Sequence, residues 1–514
     1  MSSAPDPVTG VAATADEPVD TSYGLRQWSG WLLGPAALAA TLVLPAPQGL
    51  SLEGWRTAGA AALMAVLWIT ESLPIPVTAL LPLLLFPALG LGDVREAAAP
   101  YANPIIYLFL GGFVIALAMQ RWHLHRRLAI ALIGAMGTRP RRIVLGFLLS
   151  SALISMWVSN TATAMMILPI ASSVLLLLPR EAGARASLRG FDTALMLSVA
   201  YGATTGGMAT LIGTPPNALL AAYASSTYQL ELGFGRWMLL GVPVMLAALP
   251  IVHLVLTRVA FRLGDVEVPG MATLIARERA GLGPLSRAEL SVAVVFSATA
   301  LAWVFQPLIA RVAPLVSDTT IAIAGAVAMF LVPVDARRGR FLMDWASTRT
   351  LPWEVLLLFG GGLSLAGQIE RHGVSRYLGG LADGLGGVPD LAILCLVTFL
   401  ILMLTELTSN TATAATFLPI VAATAVSLGQ NPLLFLIPAA LASNCAFMLP
   451  VGTPPNAIVF GSGRISLPQM AKAGWWLNVS FVVLIVAMVY VLGPIVFGIE
   501  QGVLPDWAQQ PRPS

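Results

Sequence analysis

Two short polar phrases each occur twice in this chain. The hexapeptide SNTATA begins at Ser159 and again at Ser409, and the hexapeptide GTPPNA begins at Gly213 and again at Gly452. Ser, Thr and Asn favour the N-cap of a helix, and paired prolines prevent a helix from continuing. Each phrase therefore predicts a helix break, at which the N–H groups of one half-helix attract an anion and the carbonyl groups of the other attract a cation.

The four phrases share the absence of Lys and Arg. A dianion held among them would be neutralised by helix N-termini, by amide and hydroxyl donors and by bound cations, because an unpaired buried dianion is prohibitively costly. Cation binding at the carbonyl-rich ends would prepare the cavity for the anion. Oxygen ligands suit a hard cation such as Na⁺, so the phrases predict cation-coupled binding of an anion.

The composition places the chain in a lipid bilayer. Of its 514 residues, 57% are hydrophobic and 10% are charged, whereas about a quarter of a soluble domain is charged. The arginines stand in short runs between apolar stretches, which excludes nucleic acid as a partner, and Cys395 and Cys445 lack the spacing of metal ligands. Residues 1–28 lack the basic start of a signal peptide and predict a polar cytoplasmic tail. Residues 499–514 are expected to form a loose C-terminal tail.

Apolar segments of about 20 residues, the length that spans a bilayer, occur about eleven times. Two further apolar stretches, 142–178 and 389–428, are each long enough for two helices and are each interrupted by SNTATA. A backbone leaves a helix at membrane depth only where protein or a water-filled cavity covers it, so each stretch predicts a re-entrant hairpin with the SNT turn at its tip. The predicted spans are 29–47, 55–72, 74–92, 104–121, 190–223, 236–262, 287–309, 316–334, 352–369, 432–462 and 473–498, of which 190–223 and 432–462 contain GTPPNA and are broken helices.

Runs of arginine predict the side of the membrane on which a loop lies. Six arginines between Arg121 and Arg142 precede the first hairpin, and three between Arg180 and Arg189 follow it, so both flanks are expected in the cytoplasm. The flanks of the second hairpin are less basic, and counting crossings places them outside. The N-terminus is then cytoplasmic and the C-terminus outside. The all-α chain is expected to be an inverted repeat of the kind found in secondary transporters.

The duplication extends beyond the two phrases. LFLGGF at 108–113 precedes LFGGGL at 358–363 by 250 residues, the offset that also separates the SNTATA copies, while the GTPPNA copies are 239 residues apart. The glycines predict close helix packing.

Two further runs of arginine, at 258–287 and 337–349, predict basic loops. His123 and His125 are assigned to the basic loop before the first hairpin, without a chemical role.

Two acidic residues lie in apolar surroundings and are candidates for proton coupling. Glu71 precedes Pro74 and Pro76, so it is alternatively a helix-end residue near the cytoplasmic face. Glu406 lies three residues before the second SNT turn, so it is alternatively a structural support for the hairpin. The sequence leaves both pairs of interpretations open.

The doubled SNTATA and GTPPNA motifs resemble those of the divalent anion/sodium symporter family, whose members carry di- and tricarboxylates or sulfate. The resemblance runs from residue 29 to residue 500. It implies a homodimer in the cytoplasmic (inner) cell membrane, in which each subunit moves a transport domain against a scaffold by an elevator mechanism. The implied scaffold helices are 29–140 and 287–385, the implied transport-domain segments are 141–262 and 386–498, and the implied cytoplasmic linker is 263–286.

The resemblance also implies a set of binding residues. Thr408 and Gly452 occupy positions at which some relatives have Ala, and both are expected to coordinate through backbone carbonyls. Substrate contacts are implied for Asn160, Thr161, Thr214, Asn410, Thr411, Thr453 and Pro454. The first of two sodium sites is implied for Ser155, Ser159, Asn160 and Gly213, and the second for Thr405, Thr408, Asn410 and Gly452.

The expected function is sodium-coupled symport of C4-dicarboxylates such as succinate, malate and fumarate. A sodium-independent dicarboxylate exchanger and a transporter of sulfate or tricarboxylates are the alternatives. The two SNT turns offer two similar donor sets, which favours a ligand with two separated carboxylates over a compact tetrahedral anion. A membrane enzyme would need a nucleophile–base pair or a metal cluster, and the sequence contains none of the corresponding motifs. Two hairpins that enter from opposite faces of the membrane favour a transporter over a channel.

Overall fold

The computed structural model of the chain describes residues 24–178, 188, 190–381 and 388–509. Most of the expected N-terminal tail, the end of the C-terminal tail and the arginines between Arg180 and Arg189 lie outside these residues. Within them the fold is mostly helical, as the sequence predicts. The helices are Leu25–Val43, Leu52–Thr70, Ile75–Thr78, Leu81–Leu89, Val94–Ala98, Pro104–Arg121, Leu124–Met136, Pro140–Ser155, Asn160–Leu175, Phe191–Gly207, Pro215–Tyr228, Phe234–Leu254, Met271–Gly281, Arg287–Val304, Gln306–Val312, Asp318–Leu331, Trp353–Arg371, Val374–Leu381, Asp390–Thr405, Asn410–Ser427, Pro432–Ser443, Pro454–Phe460, Leu467–Phe497 and Asp506–Gln509.

Several of these helices have the composition of membrane spans. Among the described residues, five are long and apolar enough to cross a membrane by length and composition, and shorter apolar helices accompany them. The chain is therefore a multi-pass membrane protein, as predicted, while the expected number of crossings stays a prediction. The five are Pro104–Arg121, Phe234–Val259, Arg287–Val304, Asn410–Ser427 and Leu467–Phe497.

Prolines divide two of the expected spans. The expected span 74–92 forms two short helices, because Pro82 has no N–H to donate to the carbonyl of Thr78. The expected span 287–309 also divides, because Pro307 lacks the N–H that would continue the first helix. Each of these spans is two helices and not one.

Part of the expected basic loop before the first hairpin is a helix. His123 has a left-handed backbone conformation (φ 56°) and precedes the helix Leu124–Met136. His125 lies in the first turn of that helix and is buried, and its Nδ1 donates to the carbonyl of Met119 at 3.0 Å. The assignment of both histidines to a loop is therefore wrong for His125, whose ring packs inside the protein.

The other two basic regions also contain regular structure. The region 258–287 includes the helix Met271–Gly281, which pairs with Leu124–Met136 through an ion pair of 2.8 Å between Arg126 and Glu278. The region 337–349 begins within a short antiparallel pair of strands and continues as a 3₁₀-helix. The strands are Pro333–Asp335 and Arg340–Phe341, the 3₁₀-helices are Ala99–Ala102, Ala336–Arg338 and Trp345–Thr350, and Val255–Val259 is a π-helical turn.

The duplication is visible in the helix boundaries. The first hairpin consists of Pro140–Ser155 and Asn160–Leu175, and the second hairpin consists of Asp390–Thr405 and Asn410–Ser427. Both hairpins begin, and both turn, at positions that are 250 residues apart. In each hairpin the SNT asparagine is the first residue of the second helix, as expected for a Ser N-cap.

A helix interrupted at GTPPNA follows each hairpin and supplies the centre of the core. The first broken helix consists of Phe191–Gly207 and Pro215–Tyr228, and the second broken helix consists of Pro432–Ser443 and Pro454–Phe460. Every residue of Pro432–Ser443 is buried, and so is every residue of Phe191–Gly207 except Asp192. The first break lies inside protein, whereas the second break includes the exposed Val451, which lines a cavity. Cover by protein or by a cavity is the condition for an irregular backbone at membrane depth.

The base of the first hairpin lies beside the start of the first broken helix. Arg141, near the start of the hairpin, donates to the carbonyl of Leu263 at 2.7 Å. Gly190, which precedes the broken helix, packs against Phe261, with 3.2 Å between the Phe261 Cβ and the position of an added Cβ. The hairpin base and the helix start thus share one end of the molecule.

The base of the second hairpin lies beside the far end of that helix, where the C-terminal segment joins them. Gln430 donates to Asp390, the first residue of the hairpin, at 2.6 Å and accepts from the N–H of Gly502 at 2.9 Å. The ring of Trp507 packs edge-on against Tyr228, with 5.2 Å between centroids. The two hairpins therefore enter from opposite ends of the first broken helix. The described part of the C-terminal tail is packed and not loose.

Candidate functional site

The tips of both hairpins and the breaks of both broken helices line one cavity of about 1170 Å³. Its other walls come from the segments 71–76, 113–120 and 350–358. Every residue for which a substrate contact is expected lies on this wall, whereas Ser155, Thr405 and Thr408 lie outside it. The motif residues on the wall are Ser159, Asn160, Thr161, Ala162, Gly213, Thr214, Pro215, Ser409, Asn410, Thr411, Gly452, Thr453, Pro454, Pro455 and Ala457.

The paired prolines start a half-helix at each break. Pro215 and Pro454 are the first helical residues, a position at which the missing N–H removes no helix hydrogen bond. Thr214 and Thr453 precede them with extended backbones (φ −152° and −143°). Both half-helices therefore direct the positive ends of their dipoles at the cavity, which attracts an anion, while the prolines at their first two positions supply no N–H groups.

The asparagines of the two GTPPNA motifs bind the carbonyl groups on the other side of each break. Asn217 Nδ2 donates to the carbonyl of Thr210 at 2.8 Å. Asn456 Nδ2 donates to the carbonyls of Ala446 and Leu449 at 2.9 and 3.0 Å. These amides supply donors to carbonyls that a broken helix leaves without partners, so they hold each break open.

A cluster of oxygen atoms lies behind the tip of the first hairpin. Ser155 Oγ donates to Asn160 Oδ1 at 2.6 Å. A Cβ added to Gly207 would lie 2.5 Å from Asn160 Oδ1 and 3.1 Å from the carbonyl oxygen of Gly213, so these oxygen atoms converge on Gly207. Uncharged oxygen donors of this kind fit Na⁺ better than a transition metal. In the described segments no three His, Cys, Asp or Glu residues form a metal-binding group.

A similar cluster lies behind the tip of the second hairpin. Thr405 Oγ1 lies 2.7 Å from both Asn410 Oδ1 and the carbonyl oxygen of Ser443. The carbonyl oxygen of Glu406 lies 3.2 Å from the position of an added Cβ at Gly452. The arrangement offers side-chain and backbone oxygen atoms to a cation, as the first cluster does.

Thr408 can contribute to the second cluster only through its backbone. Its hydroxyl donates to the carbonyl of Leu404 at 3.0 Å and lies 2.6 Å from Thr413 Oγ1. Both contacts hold the side chain inside the hairpin. The expectation that its carbonyl group is a sodium ligand stays a prediction.

Glu406 is fixed by four hydrogen-bond donors. Its carboxylate accepts from the backbone N–H groups of Phe447, Met448 and Leu449 at distances between 2.7 and 3.1 Å. It also accepts from Asn478 Nδ2 at 2.7 Å. The carboxylate therefore caps the backbone of the second break. Of the two interpretations that the sequence leaves open, these contacts support the structural one.

Two exposed acidic side chains line the cavity. Glu71 ends the helix Leu52–Thr70 in a left-handed conformation, pairs with Arg26 at 3.4 Å and lines the cavity, which confirms its helix-end position. Glu354 lines the same wall. In the part of the chain that the structure describes, neither Lys nor Arg lines the cavity. A bound dianion must therefore be balanced by backbone dipoles, neutral donors and cations.

Several residues that build this site were not predicted from the sequence. Asn217 and Asn456 stand inside a recognised motif, and the rule that broken helices leave unpaired carbonyls could have identified them. Apart from the small size of its residue type, nothing in the sequence indicated that Gly207 belongs to the site. Asn444, which contacts both breaks, was visible only as a polar residue in an apolar run.

Two solved transporters share the fold. The YdaH transporter of Alcanivorax borkumensis matches with a TM-score of 0.56 and 16% identity over 92% of this chain and 98% of its own. MtrF of Neisseria gonorrhoeae, which belongs to a class of antimetabolite efflux pumps, matches with a TM-score of 0.57 and 14% identity over 92% of this chain and 97% of its own. At these identities the likeness concerns the fold alone.

Sequence comparison gives the family. A sodium-dependent dicarboxylate transporter, SdcS, of Staphylococcus saprophyticus is 41% identical over 490 residues, covering 93% of this chain and 94% of that protein. SdcS of a Staphylococcus aureus strain is 41% identical over 485 residues, covering 93% of each. The family model of the sodium:sulfate symporter transmembrane region matches residues 25–499. The resemblance seen in the doubled motifs is thereby confirmed, and the chain belongs to this family of membrane transporters, the divalent anion/sodium symporters.

Proposed function

We propose that the protein is a secondary transporter that couples the movement of sodium to that of C4-dicarboxylates across the cytoplasmic membrane. The observation that carries this proposal is a cavity at which two pairs of helix breaks meet and which, in the described ranges, no Lys or Arg lines. The curated relatives named above are sodium-dependent dicarboxylate transporters and align over nearly the whole chain. Both lines of support concern a transporter and not an enzyme.

The two similar sets of donors fit an anion with two separated carboxylates. One set consists of Asn160, Thr161 and Thr214 from the first repeat. The other set comes from the second repeat and consists of Asn410, Thr411, Thr453 and Pro454. Each set combines a helix N-terminus with amide or hydroxyl groups, so each would bind one carboxylate without a salt bridge.

Two sodium ions are assigned to the oxygen clusters behind the hairpin tips. The first site comprises Ser155, Ser159, Asn160 and Gly213, and the second comprises Thr405, Thr408, Asn410 and Gly452. Bound sodium would place positive charge beside the asparagines that face the cavity. Sodium binding would therefore precede anion binding, because among the described residues neither Lys nor Arg lines the cavity to balance a dianion.

We place the arginine-rich end of the molecule in the cytoplasm, with the N-terminus inside and the C-terminus outside. Gln120 on the cavity wall precedes Arg121, which pairs with Asp344, and Glu354 lies on the same wall. The mouth of the cavity is therefore at the arginine-rich end. By the excess of basic residues on cytoplasmic loops, the cavity opens inward, and the hairpins form an inverted repeat about it.

We also propose a division into a scaffold (29–140 and 287–385) and a transport domain (141–262 and 386–498) that moves as an elevator. Contacts within each group support the division. In the scaffold, an added Cβ at Gly111 would lie 2.7 Å from the backbone of Ala322, so these helices are in close contact. In the transport domain, Tyr201 Oη donates to the carbonyl of Phe447 at 2.6 Å. Two subunits would associate through their scaffolds.

A designed disulfide between the two groups tests this division. The position of an added Cβ at Gly112, in the scaffold, lies 3.5 Å from the Cβ of Ile212, in the transport domain. That separation falls within the range of disulfides, about 3.5–4.5 Å. In a variant with Cys395 and Cys445 replaced, Gly112→Cys with Ile212→Cys should lose uptake on oxidation and regain it on reduction. Cross-linked protein with full uptake would overturn the elevator division. Each single-cysteine variant is the control.

The function itself is tested by radiolabelled succinate uptake into proteoliposomes. With an inward sodium gradient we expect uptake, and with potassium in place of sodium we expect none. Uptake without sodium that requires internal dicarboxylate would identify an exchanger instead. Uptake of sulfate or citrate in preference to succinate would reassign the substrate.

A further inference from the structure

A single buried asparagine links the two repeats behind the cavity. Asn444 follows the first half of the second broken helix and is fully buried. Its Oδ1 accepts a hydrogen bond from Thr214 Oγ1, and its Nδ2 donates to Asn217 Oδ1 at 3.3 Å and to the carbonyl of Ala440 at 3.0 Å. Thr214 and Asn217 belong to the GTPPNA break of the first repeat. One side chain therefore spans the boundary between the repeats.

The surrounding network fixes the orientation of this amide. Asn217 Nδ2 lies within hydrogen-bond distance of the carbonyl oxygens of Gly207, Met208 and Thr210, the nearest being that of Thr210 at 2.8 Å. Asn217 therefore presents its Oδ1 to Asn444, which must turn its Nδ2 toward Asn217 and its Oδ1 toward Thr214. The position of the Thr214 hydroxyl on the cavity wall is thus set by a residue of the other repeat.

The backbone beside Asn444 belongs to the candidate cation cluster of the second repeat. The carbonyl of Asn444 accepts from Asn410 Nδ2 at 3.4 Å, and the carbonyl of Ser443 lies 2.7 Å from Thr405 Oγ1. A cation that orders Asn410 and Thr405 therefore also orders the backbone that carries the Asn444 side chain. At the matching position of the first repeat, 239 residues earlier, the buried hydroxyl of Thr205 has no hydrogen-bond partner among the described residues.

We propose that Asn444 is a positioning residue that couples the cation cluster behind the second hairpin to the anion-binding break of the first repeat. The proposal rests on the sodium-coupled symport proposed above. Sodium in the second cluster holds the backbone of residues 443 and 444. Asn444 then fixes Thr214 and Asn217, and with them the backbone at the start of the half-helix Pro215–Tyr228, which lines the cavity that receives the anion. Because coupling between two binding sites is reciprocal, the dicarboxylate tightens sodium binding through the same contact.

The test is the factor by which sodium lowers the KM for succinate in proteoliposomes. In the wild type we expect a factor of about tenfold or more between low and saturating sodium. In Asn444→Ala, and in Asn444→Thr, which introduces the residue type of the first repeat, we expect less than about threefold. A merely structural role would change the amount of active protein, and so the maximal rate, but not this factor.

Asn431→Ala is the matched control. Asn431 is a buried asparagine at the other end of the same half-helix, where its side chain accepts from the N–H of Leu433 at 3.0 Å. Loss of this N-cap should lower thermal stability and leave the sodium dependence of the KM at its wild-type value. An equal loss of coupling in Asn431→Ala would show that any disturbance of the helix is sufficient, and would overturn the specific role of Asn444.

A second variant breaks the same contact from the other side. Thr214→Val removes the hydroxyl that donates to Asn444 and keeps the side-chain shape, so it tests the proposal even if the Asn444 variants do not fold. In the double variant Thr214→Val/Asn444→Ala, we expect the factor by which sodium lowers the KM for succinate to be no lower than in either single variant. Wild-type coupling in Asn444→Ala or Thr214→Val would overturn this inference alone. Sodium-independent uptake by the wild type would overturn the proposed symport and this inference with it.

Discussion

The two repeats are alike at the hairpin tips and different behind them. In each hairpin a hydroxyl five residues before the SNT asparagine donates to its Oδ1, from Ser155 to Asn160 at 2.6 Å and from Thr405 to Asn410 at 2.7 Å. Each GTPPNA asparagine binds carbonyls across its own break. The groups that face the ligands therefore form two nearly equivalent sets.

Behind the tips, equivalent positions carry different chemistry. Glu406 supports the second break with its carboxylate, whereas Met156 stands at the matching position of the first hairpin. Ala446 stands where the first repeat has Gly207. The comparison teaches that duplication retained the local chemistry of ligand contact, while the buried supports diverged because each copy packs against different neighbours.

The largest effect is expected at the tips, where the two repeats are most alike. Asn160→Ala and Asn410→Ala each remove an amide shared by a proposed sodium site and the proposed anion site. Loss of hydrogen bonds to charged groups, each contributing about 1.5–3 kcal/mol, should reduce succinate uptake to background in both variants. Size-exclusion chromatography should show folded protein. Wild-type uptake by either variant would contradict the site assignment, and unequal losses would show that the tips are not equivalent.

Glu406→Gln should destabilise the protein more than a substitution at the matching position of the first repeat does. The substitution turns one acceptor oxygen into a donor that faces backbone N–H groups, and each unsatisfied buried group costs about 1–3 kcal/mol. We expect a clear loss of thermal stability, with the pH dependence of any remaining uptake unchanged. The control is Met156→Leu at the matching position, a volume-conserving change that costs less than about 1.5 kcal/mol. A changed pH profile with unchanged stability would instead favour proton coupling.

Gly207→Ala should disturb the first sodium site alone. The added methyl would lie 2.5 Å from Asn160 Oδ1, a contact that the backbone position does not allow. We expect a higher sodium concentration for half-maximal uptake and a lower Hill coefficient for sodium. The reciprocal change, Ala446→Gly, removes a single buried methyl group and should cost about 1 kcal/mol of stability without altering the sodium dependence. Similar sodium curves for both variants would argue against a cation at Gly207.

The smallest expected difference concerns the two N-caps. Ser159 Oγ accepts from the N–H of Ala162 at 3.3 Å, whereas the Ser409 side chain makes no such capping bond. Ser159→Ala should therefore cost about 0.5–2 kcal/mol, and Ser409→Ala should cost less. The measurement is the melting temperature of each purified variant. A larger loss for Ser409→Ala would show that its hydroxyl has a different partner when ligands are bound.

Much of the fold and the position of the candidate site could be predicted from the sequence, because those features depend on chemistry that acts over a few residues. Proline lacks an N–H wherever it stands, so the helix breaks before Pro215 and Pro454 can be predicted from the amino-acid sequence alone. The same holds for the hairpin turns, since Asn160 and Asn410 each follow a Ser that favours an N-cap. The splitting of the span 74–92 is also encoded locally, because Pro82 has no N–H.

The tertiary structure alone decided which side chains support these breaks. Thr214 and Asn444 are 230 residues apart in sequence, and Glu406 reaches Asn478 across 72 residues. Such contacts depend on how one repeat packs against the other and on which buried polar group needs a partner there, and neither is encoded in a local spacing. The sequence by itself determined where the chain breaks and what the breaks attract, because backbone hydrogen bonding is local. Only packing decided how the four breaks meet at one cavity, because a buried donor is paired by whichever acceptor the fold brings beside it.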